Sequence, residues 1–218
     1  MNNRHQVSSI DELAAVVVGR STGVRTTGVR TITAIAGPPG AGKSTTAGAL
    51  AEALNARAPG TASVFPMDGY HYDDLVLHAR GQRSRKGAPY TFDVAGFAHM
   101  LDRLRRNDEL EVAVPVFDRT IEIARAGARI IPQSVTQLVV EGNYLLLDFP
   151  PWDGLAPYFD TTVVIDVPEA ELRRRLLDRW SHLSGAALDD KMEGNDMPNV
   201  RLVRSRSRTA DVTFRPVT

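Results

Sequence analysis

Two kinds of apolar pattern take turns along this chain. Short unbroken runs at Thr31–Ala36, 62–67, Gln137–Val140 and Thr161–Val167 predict buried strands, and the first three close on a glycine or a carboxylate. Between them lie stretches with helical character. Residues 43–57 are Ala-rich, residues 93–107 carry Phe97, Met100, Leu101 and Leu104 on one side, and 168–180 form a further helix. Ser9 is the candidate N-cap of a short helix over 10–20, with Asp11 and Glu12 in its first turn and Leu13, Val16 and Val17 as its stripe. Residues 21–30, polar and Gly-bearing, separate that helix from the first clear strand. Residues 111–117 and 121–131 predict a hairpin outside the main sheet. Residues 70–92, basic and punctuated by Gly and Pro, read as an excursion that lines a site. A polar gap (181–195), a helix at 197–208 and a strand at 210–214 follow. Strands alternating with helices imply a three-layer α/β/α fold with a largely parallel central sheet, whose ligands sit at the C-terminal strand ends.

One strand end carries a specific signal. Gly37-Pro-Pro-Gly40-Ala41-Gly42-Lys43-Ser44 matches G-x-x-x-x-G-K-[ST] in full, with a strand before and a helix after, which makes the fold a P-loop NTPase. Glycines let successive N–H groups turn inward around an anion, and the following helix aims its positive end at the same place. Lys43 is expected on the β- and γ-phosphates, Ser44 on Mg²⁺ and Thr45 on the α-phosphate. Two acids also stand at strand ends: Asp68 after Phe65-Pro66-Met67 and Glu141 after Leu138-Val139-Val140. An aliphatic strand ending in a carboxylate steers magnesium or its water shell in such folds, so Ser44, Asp68 and Glu141 form the candidate metal set. Transfer to an alcohol also needs a carboxylate that takes or orients its proton, and Asp68, at the start of the excursion, is the candidate base. The Asn-Lys-x-Asp segment that reads guanine in GTPases is absent.

Composition narrows the class. The 218 residues suit one domain, 1–218, and 43% hydrophobic content supplies its core. Twenty-six basic residues balance 26 acidic ones, which argues against a general binder of nucleic acid or membrane surfaces. With no cysteine, disulfides, thiolate metal sites and a cysteine nucleophile are excluded. No apolar run approaches the ~18 residues of a membrane helix. Leu13–Val18 follows two acids and lacks a basic leader, so it does not read as a signal peptide and a cytoplasmic location is the default. A homodimer is left open. Arg80, Arg83, Arg85 and Lys86 have two readings, an anionic acceptor's partners or a solvated loop.

At Asp68-Gly69-Tyr70-His71 and Arg85-Lys86-Gly87-Ala88-Pro89-Tyr90-Thr91-Phe92-Asp93 the chain resembles the uridine kinase, phosphoribulokinase and bacterial pantothenate kinase group. With Phe117-Asp118-Arg119 and Val140-Glu141-Gly142-Asn143-Tyr144-Leu145-Leu146-Leu147 it is similar to a smaller branch, the fructose transport system kinases or nucleoside/nucleotide kinases. The resemblance spans about residues 30–215 with its motifs in order. It implies ATP and Mg²⁺ as cofactors and a small-molecule acceptor, with Lys43, Asp68, Arg119 and Glu141 catalytic. Gly37, Gly40, Ala41, Gly42, Lys43, Ser44, Thr45 and Arg175 would hold the nucleotide. Arg119 would bind the acceptor or its phosphate, and Arg173, Arg174 and Arg175 would belong to a lid near 180–197. Arg175 and Arg179, four apart, share a helix face. A regulatory or partner-dependent NTPase linked to sugar transport is the alternative reading, and a nucleotide-binding module without chemistry a weaker third.

Overall fold

The computed structural model describes residues 5–24 and 30–216. In chain order it contains β1 (His5–Val7), α1 (Ile10–Val24), β2 (Thr31–Ala36), α2 (Lys43–Arg57), β3 (Ala62–Pro66), α3 (Asp74–Ala79), α4 (Val94–Arg106), β4 (Glu111–Asp118), β5 (Ile123–Pro132), β6 (Gln137–Gly142), β7 (Thr161–Ile165), α5 (Glu169–Arg179), α6 (Gly185–Lys191), α7 (Met197–Arg206) and β8 (Val212–Phe214). Six strands form one sheet in the order β1-β8-β7-β2-β6-β3, all parallel, and β4 pairs with β5 in a separate antiparallel ribbon.

Side-chain alternation along the strands builds two cores. Ile32, Ala34, Leu138 and Val140 face α4, the ribbon and the Tyr144–Leu147 segment. Ile35, Val139, Val163 and Val212 face α1, α2 and α5. Near-continuous apolar strands are what a parallel sheet covered on both faces requires. Tyr144 is fully buried in the first of these cores.

Most expected elements are present, with three differences. The helix predicted over 10–20 runs on to Val24, and residues 25–29 of the predicted separator lie outside the described residues. Its entry is capped twice: Ser9 Oγ accepts from Glu12 N at 3.3 Å, and Glu12 accepts from Ser8 N at 2.9 Å. The predicted polar gap at 181–195 is largely helical: α6 leads through a π-helical turn, Met192–Asp196, straight into α7. Finally, β1 is a three-residue strand that exists because β8 supplies its partner. Among the described residues no helix is long and apolar enough to cross a membrane.

A buried arginine ties the lower end of the sheet to its cover. Arg30, fully enclosed, donates from Nε to Val135 O (2.6 Å), from Nη1 to Leu104 O (2.9 Å) and from Nη2 to Pro132 O (2.7 Å). Burial lowers its pKa to about 10, and the three carbonyls are what make an enclosed guanidinium tolerable.

Candidate active site

The tops of β2, β3 and β6 open into a cleft of about 480 Å³. β2 ends at Ala36, and the chain turns through Gly37–Gly42 into α2. Gly40 and Gly42 sit at φ 82° and 90°, where a side chain would be strained, and no side chain caps the helix. The first-turn amides of α2 are therefore left for an anion. Gly37 and Ala41 lie beneath the loop, in contact with each other, rather than on the cleft wall. Gly40, Gly42, Lys43, Ser44 and Thr45 line the cleft.

Lys43 Nζ donates to Pro38 O at 3.0 Å. Lys43 is partly buried, and desolvation pushes its pKa down to about 8 although Glu141 and Asp68 pull it upward. Ser44 Oγ donates to Glu141 Oε1 at 3.0 Å. Glu141 is itself buried, and burial, then the nearby Asp68 charge, raise its pKa. A polyanion at Lys43 and a cation at Glu141 would relieve both strains, so the residues fit a metal-bound nucleotide. Among the described residues no three His, Cys, Asp or Glu side chains converge as a metal cage. A hydroxyl with two nearby carboxylates is instead the sparse oxygen set magnesium accepts when phosphates and water complete its shell.

Asp68 stands in the 3-10 turn Met67–Tyr70 that closes β3. Its Oδ2 accepts from Arg119 Nη2 at 2.7 Å, while Oδ1 has no hydrogen bond among the described residues. Arg119 comes from the tip of the β4–β5 ribbon, so the ribbon meets the sheet at this carboxylate. Gly69 makes the meeting possible: a Cβ there would stand 2.5 Å from Pro115 O. His71 accompanies Asp68 as a wall. Its ring lies 4.0 Å from that of Phe92 and 4.7 Å from that of Phe117, and burial lowers its pKa.

The excursion closes the far side. Most of its basic run is occupied within the chain. Arg80 lies over the Tyr72 ring at 4.4 Å, Arg83 pairs with Asp74 at 2.7 Å, and Lys86 Nζ reaches Asp74 Oδ1 and Glu122 O, both at 2.6 Å. Arg85 donates to Gly194 O, and buried Asn195 donates from Nδ2 to Lys86 O at 3.0 Å. The π-helical turn is thereby bonded to the excursion. Trp180 Nε1 donates to Asp196 at 2.8 Å, fixing the same turn to the end of α5.

Helix α5 distributes its arginines unevenly. Arg173 pairs with Glu193 at 2.6 Å, and Arg174 with Glu171 and Asp178, both at 2.8 Å. Arg175 pairs with Glu171 at 2.7 Å and donates to Gly40 O at 3.3 Å, bracing the loop from outside the cleft. Arg179 lines the cleft with no hydrogen bond or ion pair among the described residues, and its charge is felt at Lys43. Of the residues singled out by sequence, Lys43, Ser44, Asp68, Arg119 and Glu141 converge on one cleft. Asn143, Asn195 and Asn199 join them, though sequence reasoning assigns none of the three a role in the site.

No protein-family model matches the chain. It is 30% identical over 217 residues to a Schizosaccharomyces pombe protein named "Putative uridine kinase", covering 95% of this chain and 91% of that one. It is 32% identical to the pantothenate kinase of Parvibaculum lavamentivorans over 73% of this chain and 51% of that protein. Its structure matches that of a "putative fructose transport system kinase" from Silicibacter sp. TM1040 with a TM-score of 0.87 at 38% identity, covering 95% and 99% of the two chains. A strand-topped P-loop, facing acids and these relatives converge on one conclusion: the chain belongs to the uridine kinase- and pantothenate kinase-like family of P-loop small-molecule kinases.

Proposed function

We propose that this kinase transfers the γ-phosphoryl group of ATP, bound with Mg²⁺, to a hydroxyl of a small uncharged, hydroxyl-rich acceptor, with Asp68 as the base. The observation that carries the reading is that Asp68 faces the same cleft as Lys43, Ser44 and Glu141 while keeping Oδ1 free of hydrogen bonds. A carboxylate so situated accepts the acceptor's proton as its oxygen bonds to phosphorus. Arg119, on Oδ2, orients it. Ser44 and Glu141 would hold the magnesium ion, which supplies charge neutralisation on the phosphates. Lys43 stabilises the negative charge of the transferring group, and we assign the closing role on α5 to Arg179, the arginine left unpaired in the cleft.

The uncharged character of the acceptor follows from how the basic run is used. Arg80, Arg83, Arg85 and Lys86 are stacked, paired or bonded to carbonyls, so none is spare for an acceptor anion. The other cations of the lining on this side are engaged too, Arg119 with Asp68 and Lys191 over the Trp180 ring at 4.4 Å, which leaves His71, Asn143, Asn195 and Asn199 beside the acids Glu122 and Asp196. A screen of ADP release against sugars, nucleosides, pantothenate and sugar phosphates tests this. The expected result is turnover on a neutral polyol or nucleoside that Asp68→Asn abolishes while ATP binding survives. Activity confined to sugar phosphates would reject the acceptor class. Acceptor-independent hydrolysis driven by a protein partner would reject the transfer reaction in favour of a regulatory NTPase.

A further inference from the structure

A second recess, of about 340 Å³, opens between β7, β8 and the end of α7 and shares no lining residue with the kinase cleft. Val164 and its register partner Thr213 form its floor on the sheet face that carries α4. Its charge is lopsided: Arg204, Arg208 and Arg215 face it against one acid, Asp166.

Two of these arginines are occupied. Arg215 grips Asp166 through Nε and Nη2, both at 2.8 Å, and Arg204 Nη1 donates to Val167 O at 2.9 Å. Arg208 is different. Its backbone N–H donates to Leu146 O at 2.7 Å, but its half-buried guanidinium, 6.0 Å from the centre of the Phe159 ring, has no hydrogen bond or ion pair among the described residues. The acid whose charge is felt at it, Asp211, is committed to Thr162 N and Oγ1 and to Arg20 at 2.7–2.9 Å. Next to it, Ser207 Oγ is sealed from solvent without a partner, and Thr209 and Thr213 also line the recess.

A half-buried cation without an acceptor, in a recess lined by hydroxyl-bearing residues, is an incomplete anion site. We propose that this recess binds the phosphate or carboxylate group of a small metabolite, with Arg208 as the charged anchor and the hydroxyl of Thr209 as a further donor. The site is separate from the donor and acceptor subsites, and the inference does not rest on the roles assigned in the cleft.

The test uses the full chain with its P-loop saturated by a non-hydrolysable magnesium–ATP analogue, so that added anions cannot report from the donor site. Inorganic phosphate and succinate are titrated separately at constant ionic strength, followed by thermal shift and by calorimetry. One of the two is expected to give saturable binding, and the better one identifies the ligand's charged group. Arg208→Gln should weaken it about tenfold and Thr209→Val by a few-fold, the scale of lost hydrogen bonds to a charged group. Thr209 is exposed and the Arg208 guanidinium, whose one side-chain contact is the Phe159 ring at 6.0 Å, makes no hydrogen bond or ion pair among the described residues, so both variants are expected to keep the fold. Equal binding by wild type and both variants, or no saturable response to either anion, would overturn the proposal.

Discussion

The two halves of the cleft are built from different material. The donor half is one contiguous stretch, Gly37 to Thr45, with Glu141 one strand away, and it works largely through backbone amides held by glycine geometry. The acceptor half is assembled from side chains of four distant segments, around Asp68, Lys86, Arg119 and Asn195. One of its bonds, Asn195 Nδ2 to Lys86 O, joins residues 109 apart in sequence. The contrast teaches that a constant ligand, the polyphosphate, is read by the main chain, which side-chain variation hardly touches. A variable ligand is read by loops leaning on one another, where each contact depends on the whole fold being in place.

Changes that separate the halves test this division. Asp68, where they meet, gives the largest effect: Asp68→Asn is expected to lower kcat by about 10³-fold with ATP affinity unchanged, as read by single-turnover kinetics and calorimetry. Loss of ATP binding would mean the carboxylate belongs to the donor half. Next comes Arg179→Ala, with kcat down by about 10²-fold and the acceptor KM little altered. The same loss in Arg175→Ala with Arg179→Ala normal would reverse the assignment along α5. Asn195→Ala is expected to raise the acceptor KM by about tenfold and to change kcat less, because it frees the excursion from the π-helical turn. A matching change in ATP affinity would show the halves to be mechanically continuous.

The smallest effect is a pH dependence confined to the donor side. Lys43 binds phosphate as its ammonium, and with its pKa lowered to about 8 it loses that proton earlier than a free lysine. Affinity for ATP without divalent metal should therefore fall about fourfold between pH 7.0 and 8.5, and the acceptor KM should stay level. The same shift has a sign in stability. Between pH 8 and the ordinary lysine range the unfolded chain binds the extra proton, so the ligand-free protein gains stability as pH rises through that window.

The division also decides what could be read from sequence. The strands and the P-loop were legible because an apolar run ending in glycines is a local pattern with a local cause. Asp68 and Glu141 were found the same way, as carboxylates ending such runs. The helical nature of 185–196 was not legible: α6 buries none of its residues, and the π-helical turn is ordered by bonds from Arg85 and Trp180. The basic run admitted two readings because Asp74 and Glu122, its actual partners, cannot be matched to it without the fold. Arg30 looks like any arginine until Leu104, Pro132 and Val135 bring three carbonyls to it. The resemblance puts Arg175 on the nucleotide and leaves Arg179 as no more than its neighbour on the helix face, whereas packing sets Arg175 behind the loop and Arg179 on the cleft lining.

The close approach of Gly69 to Pro115 has a consequence for redesign. The ribbon is clamped to the Asp68 turn by Gly69 and Pro115 and, at the tip, by Arg119 on Asp68 and Lys86 on Glu122 O, while residues 120 and 121 between them are exposed and make neither contact. That pair is therefore a graftable part. Exchanging it would alter the surface offered to an incoming hydroxyl compound without re-aiming the carboxylate that receives the proton. A library confined to positions 120 and 121, with Gly69, Pro115, Arg119 and Glu122 held fixed, is the economical route to new acceptors, whereas any side chain at 69 would move tip and base together.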